Sequence, residues 1–75
     1  MTLKVHDLIQ TCHSCPSQWT AETPDLRQVY VRYRYGYLRV DLDGETVYHE
    51  QHGDELDGTM DTERMLKLTG MTLCP

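Results

Sequence analysis

The spacing of apolar positions changes along this chain, and each change marks a new element. In "VYVRYR", Val29 to Arg34, β-branched and aromatic residues alternate so that Val29, Val31 and Tyr33 share one face. Tyr30, Arg32 and Arg34 share the other, which predicts a half-buried strand. Tyr35-Gly36 predicts a tight turn, because glycine supplies the positive φ of a two-residue hairpin. Leu38, Val40 and Leu42 then alternate with Arg39 and Asp41. Asp43-Gly44 is the strongest hairpin signal in the chain and folds Glu45–Gln51 back on Tyr37–Leu42. Upstream, "QWTAE" reads as a short strand and "TPDLR" as a turn.

The two ends of the chain read differently. Val5, Leu8, Ile9 and Cys12 recur at helical spacing, which predicts a short N-terminal helix, with a strand as the competing assignment. Pro16 then disfavours helix at Cys15. Near the other end, Asp61 can cap a helix over "TERMLKLTG", with Glu63 at the positive end of its dipole and Lys67 at the negative end. Gly70 follows as the closing residue. The pattern predicts one small α+β domain over residues 1–75. It is a three- or four-stranded antiparallel β-meander with one or two short helices packed on one face. The predicted core is Leu8, Ile9, Trp19, Val29, Val31, Leu38, Val40, Val47, Met65, Leu66 and Leu68.

Length limits what such a core can do. A chain of 75 residues buries only about 60% of the surface its unfolded form exposes. A staple would help: a metal, a disulfide or a second copy of the chain. The thin core and the Tyr-rich sheet favour a homodimer over a monomer. "MTLKVHDLIQTC" holds no apolar run suited to a signal peptide, and no segment approaches a membrane span, so a cytoplasmic protein is expected. In that compartment three cysteines are reduced or hold metal more often than they form disulfides.

The distribution of charge says more than the net value of −5. Four of the seven basic residues, Arg27, Arg32, Arg34 and Arg39, lie between positions 27 and 39. Nine of the twelve acidic residues follow between 41 and 63, in a window without Lys or Arg. Two binding surfaces are therefore in play. The acidic one comprises Asp41, Asp43, Glu45, Glu50, Asp54, Glu55, Asp57, Asp61 and Glu63. The other is the strand face of Tyr30, Arg32, Arg34 and Arg39. RNA-recognising sheets stack bases on aromatics flanked by Arg. The same face also suits a solvated surface on which Arg stems lie over Tyr rings. Polyanion-binding proteins usually carry the opposite charge balance, which ranks nucleic acid second.

Several spacings suggest chemistry. Cys12-x2-Cys15 is the spacing of a zinc knuckle, and His49-x2-His52 with Cys74 supplies further ligand types. A structural zinc on these five residues competes with reduced cysteines that fill core space. "DELDGTMDTER" resembles half of a calcium loop. Aligned on Gly58, however, it puts Gly53 and Arg64 where the loop needs acids. No Gly-rich phosphate loop or oxyanion arrangement accompanies His13 or His49, so an enzyme is not expected.

"CPSQW" and "YVRYRYG", with the later "HGDELDG" and "LKLTG", resemble small phage and prophage proteins, mostly of actinobacteria. Those proteins carry a C-P-x-Q-W stretch, a turn and a Y-x-R-Y-R-x-G strand. The likeness covers Cys15 to Gly70, and the turn departs from it, being "TPDLR" where the pattern has Asp-Gly. Members of the group have no assigned activity, so no residue roles carry over. The resemblance implies a small accessory protein that blocks a host protein, of the anti-defence or anti-CRISPR kind. Combined with the charge pattern, this gives the leading expectation: a non-enzymatic inhibitor whose carboxylates stand in for phosphates on a basic host surface. A small nucleic-acid-binding module using the Tyr/Arg face is the alternative.

Overall fold

The structure, a computed structural model, describes residues 3–13, 17–54 and 58–74. Strands β1 (Lys4–His13), β2 (Ser17–Glu22), β3 (Gln28–Arg34), β4 (Tyr37–Leu42) and β5 (Glu45–Gln51) run in sequence order. Helix α1 (Thr62–Thr69) and the two-residue β6 (Thr72–Leu73) complete the chain. One curled sheet has the order β5-β4-β3-β2-β1-β6, antiparallel throughout except where β6 runs parallel to β1. An antiparallel sheet with a helix is what the pattern predicts, but it has six strands rather than three or four.

The extra strands come from the two ends. Residues 4–13 form β1, not a helix, and two register irregularities explain the misleading spacing. They fall between His6 and Ile9 and between Gln10 and Cys12. Each breaks the two-residue alternation, so apolar residues recur at three or four positions as they would on a helix. Asp7 takes φ 54° within the first of them. β6 is too short to leave a periodic signal.

Both tight turns have the conformation their sequences require. Tyr35 and Gly36 take φ 56° and 73°, and Asp43 and Gly44 take 50° and 83°. At Gly36 space matters as well as conformation: a Cβ there would lie 2.3 Å from Gly53 O and 2.4 Å from Asp54 O. That closeness exists because the His52 and Gly53 N–H groups both donate to Gly36 O, strapping the loop after β5 onto the turn.

The inner face of the sheet packs under α1. Val5, Trp19, Val31, Tyr33, Leu38, Val40 and Met65 have no exposed surface, and Ala21, Val29, Met60 and Met71 are buried with them. Burial of each large side chain contributes roughly 1.5–3 kcal/mol. Trp19 Nε1 donates to Thr62 Oγ1 at 2.9 Å, and Thr62 Oγ1 donates to Gln10 Oε1 at 3.2 Å. These bonds fix the start of the helix over β1 and β2. Asp61 caps α1 by accepting from the Arg64 N–H, and Gly70 closes it at φ 76°.

Of the predicted core, Leu8, Leu66 and Leu68 are half-buried, while Ile9 and Val47 are 60% and 44% exposed. Ile9 is turned out because it pairs with Thr20 on the outer face. Val47 is turned out by a bulge: Val40 pairs with Tyr48 and Asp41 with Thr46, which leaves Val47 unmatched.

Candidate anion-binding face

The outer face of β3, β4 and β5 follows from what the inner face buries. Val31, Tyr33, Leu38 and Val40 point into the core, so their neighbours Arg32, Arg34, Tyr37 and Arg39 point away from it. Register then decides which of these meet. Arg32 lies directly opposite Arg39, and Arg39 opposite His49. In the next row Arg34 lies opposite Tyr37, and Tyr37 opposite Gln51.

These two rows form a groove of about 470 Å³ lined by Arg32, Arg34, Tyr35, Tyr37, Arg39 and Gln51. Gln51 fixes its end by donating from Nε2 to Tyr35 O at 2.9 Å and to Gly53 O at 2.6 Å. The Arg34 guanidinium sits 4.7 Å from the centre of the Tyr35 ring. Tyr37 and His49 are 5.9 Å apart between ring centres and tilted by 36°.

The electrostatics are unbalanced. Arg39 Nε lies 3.4 Å from Asp41 Oδ1, within ion-pair range but without hydrogen-bond geometry. Asp41 Oδ1 also accepts from Thr46 Oγ1 at 2.7 Å. Arg32 and Arg34 have no carboxylate within 4.0 Å among the described residues. The Nε atoms of Arg32 and Arg39 are shut off from water without a hydrogen bond. Like charges set directly opposite destabilise a sheet, and unsatisfied buried donors are uncommon enough to need a reason. Tyr30 shares this face but pairs with Asp41, outside the groove.

The acidic residues are placed otherwise. Asp43 Oδ1 accepts from the Gln28 N–H at 2.9 Å and so ties the β4–β5 turn to β3. Glu50 Oε2 accepts from the Tyr48 hydroxyl at 3.2 Å, and Asp61 is spent on the helix cap. Asp41, Asp43, Glu50 and Asp61 thus have internal partners. Glu45, Asp54 and Glu63 are exposed, and Glu55 and Asp57 lie outside the described residues. Tyr48 has its hydroxyl pKa raised, first by burial and then by Glu50 beside it.

The five zinc candidates are not gathered among the described residues. Cys12 stands on β1 and His49 on β5, with His52 just beyond it; β2, β3 and β4 intervene. Cys74 follows β6, and its N–H donates to Val5 O at the far end of β1 from Cys12. Cys15 lies outside the described residues. His52 Nε2 instead meets the Tyr48 hydroxyl at 2.7 Å.

A different set, His6, Asp7 and Glu22, does converge, with ligand-type atoms all within 4.8 Å of one another. His6 Nδ1 is 3.0 Å from Asp7 Oδ2 and its Nε2 is 3.7 Å from Glu22 Oε1. Each ring nitrogen therefore faces its own carboxylate. Sequence reasoning passed over this set because only the β1–β2 pairing brings Glu22 opposite His6. Gln51 was passed over for a similar reason: the Val47 bulge, not spacing, turns it into the groove.

No protein-family model, curated protein or solved structure matches the chain. Among the described residues no helix is long and apolar enough to cross a membrane.

Proposed function

We propose that this chain is a non-enzymatic binding module that takes nucleic acid on the outer face of β3, β4 and β5. The observation that carries this reading is the Arg32–Arg39 apposition, flanked by Arg34, in a groove walled by tyrosines. Setting two arginines directly opposite one another costs the fold stability, and a phosphate between them would turn that cost into binding energy. Arginine presents a planar fork of donors suited to phosphate oxygens. Tyrosine at the rim offers a flat surface to a base.

The competing reading is a phage-derived inhibitor that lays its acidic residues on a basic host protein. It draws support from the nine carboxylates between positions 41 and 63. Against it, Asp43, Asp41, Glu50 and Asp61 are engaged within the fold, at a turn, an ion pair, an edge strand and a helix cap. Fluorescence anisotropy with a labelled oligonucleotide separates the two. Arg32→Ala with Arg39→Ala should abolish oligonucleotide binding, while Glu45→Lys with Glu63→Lys should leave it intact or strengthen it. Unchanged binding in the double arginine variant would rule the proposal out.

A further inference from the structure

We infer that the groove is built for a single strand rather than a duplex. It would seat one or two nucleotides, with a phosphate at Arg32 and Arg39 and a base against Tyr37 and Tyr35. This rests on the nucleic-acid reading above and narrows it.

Three observations point this way. The first is size. About 470 Å³ falls in the range of small-ligand clefts, roughly 300–1,000 Å³, and suits a nucleotide rather than the side of a double helix. The second is the exposed rings. Tyr35 is 57% and Tyr37 39% exposed, although each borders a partner that could have covered it. In a duplex the base faces are stacked inside and unavailable, so exposed rings gain nothing from it; an unpaired base can lie on them. The Arg34 guanidinium over Tyr35 holds that ring by a cation–π contact.

The third observation is the charge around the groove. The chain carries −5 overall, and Asp43 and Glu45 stand at the far end of the same two strands. A duplex presents about one phosphate per 1.7 Å of its axis, which would drive part of its charge against those carboxylates. A strand confined to the groove meets the three arginines, with Asp41 beside Arg39, and stays clear of Asp43 and Glu45. The juxtaposition also orders the ligand. Arg32–Arg39 and Arg34–Tyr37–Gln51 are successive rows on one face, about 7 Å apart along the strands. A phosphate on one row places the attached nucleoside over the other.

The test uses the full chain and labelled ligands in anisotropy titrations. The ligands are an oligothymidylate of about eight residues, a strand of equal length lacking bases, and a duplex of the same length. The oligothymidylate should bind at least tenfold more tightly than either of the others. Its affinity should fall with salt at a log–log slope between about −0.7 and −1.4, from about 0.7 for each of the one or two phosphates the groove neutralises. Tyr37→Leu should weaken oligothymidylate binding about tenfold and leave the base-free strand unaffected, with an unchanged melting temperature confirming the fold. Duplex or base-free strand bound as tightly as oligothymidylate would overturn the single-strand assignment while leaving the nucleic-acid reading in place. Failure of all three ligands to bind at low salt would remove both.

Discussion

Arg32 is the residue at which stability and binding should move in opposite directions. Arg32→Met removes one of two directly opposed charges and keeps an unbranched stem over the sheet. Like charges opposite one another on a sheet cost roughly 0.2–1 kcal/mol. Here the repulsion is partly offset, because Asp41 lies 3.4 Å from Arg39 Nε, so about 0.5 kcal/mol is expected. For a domain of this size, about 4–8 °C of melting temperature accompanies each kcal/mol. Arg32→Met should therefore melt about 2–4 °C above the parent. Arg32→Lys keeps the charge and should melt with the parent.

Salt provides the internal control. The Arg39 side chain is 38% exposed, so the repulsion is open to screening. At about 1 M salt the Debye length is near 3 Å, and the gain from Arg32→Met should shrink towards zero. Circular dichroism melts of the three proteins at low and high salt read this directly. A methionine variant that melts below the parent, or a gain that survives high salt, would refute the view that the arginine pair is held at a cost.

Three further outcomes follow from the fold. Gly36→Ala should destabilise by about 2–4 kcal/mol in urea titrations, because the left-handed conformation and the Gly53 and Asp54 carbonyls both oppose a Cβ; Gly44→Ala, with open space around it, should lose only about 1 kcal/mol. Thr62→Val should cost about 1–3 kcal/mol by leaving the buried Trp19 N–H unpaired, and the fluorescence of this single tryptophan reports the change. Asp25 has its pKa lowered by the Thr23 hydroxyl it accepts from and by Arg27. Its contribution is thus present above the ordinary carboxylate range and lost as pH falls through the depressed value, so the parent's urea midpoint should converge on that of Asp25→Asn in acid and exceed it at neutral pH.

How far this molecule is legible in its sequence depends on where the strands are regular. β3 and β4 follow from uninterrupted alternation, β5 from the Asp43-Gly44 turn that folds it back, and α1 from its caps, and each of those signals is local. β1 is legible only as the competing assignment to a helix, because its two irregularities replace alternation with a spacing that mimics a helix. Tyr33 shares the inward parity of Val29 and Val31 and is fully buried, so its place in the core was implied by the same pattern. The face of Arg32, Arg34 and Arg39 was legible; its completion by His49 and Gln51 was not, because that depends on cross-strand register.

The bulge at Val47 is what makes the face cationic. Without it, the Asp43-Gly44 turn would pair Leu42 with Glu45 and continue in step, setting Tyr48 opposite Arg39 and Glu50 opposite Tyr37. A carboxylate would then stand in the groove beside Arg34. With Val47 unmatched, His49 faces Arg39 and Gln51 faces Tyr37, while Tyr48 and Glu50 move to the side of the helix. There the Tyr48 hydroxyl reaches Glu50, His52 and, at 3.4 Å, Leu68 O. One unmatched residue thus exchanges an acid for an amide in the groove and gives that acid a partner on the other face. A bulge shifts every side chain beyond it to the opposite face of the sheet. This is why an acid-rich strand can border an arginine groove in a chain of net negative charge without neutralising it.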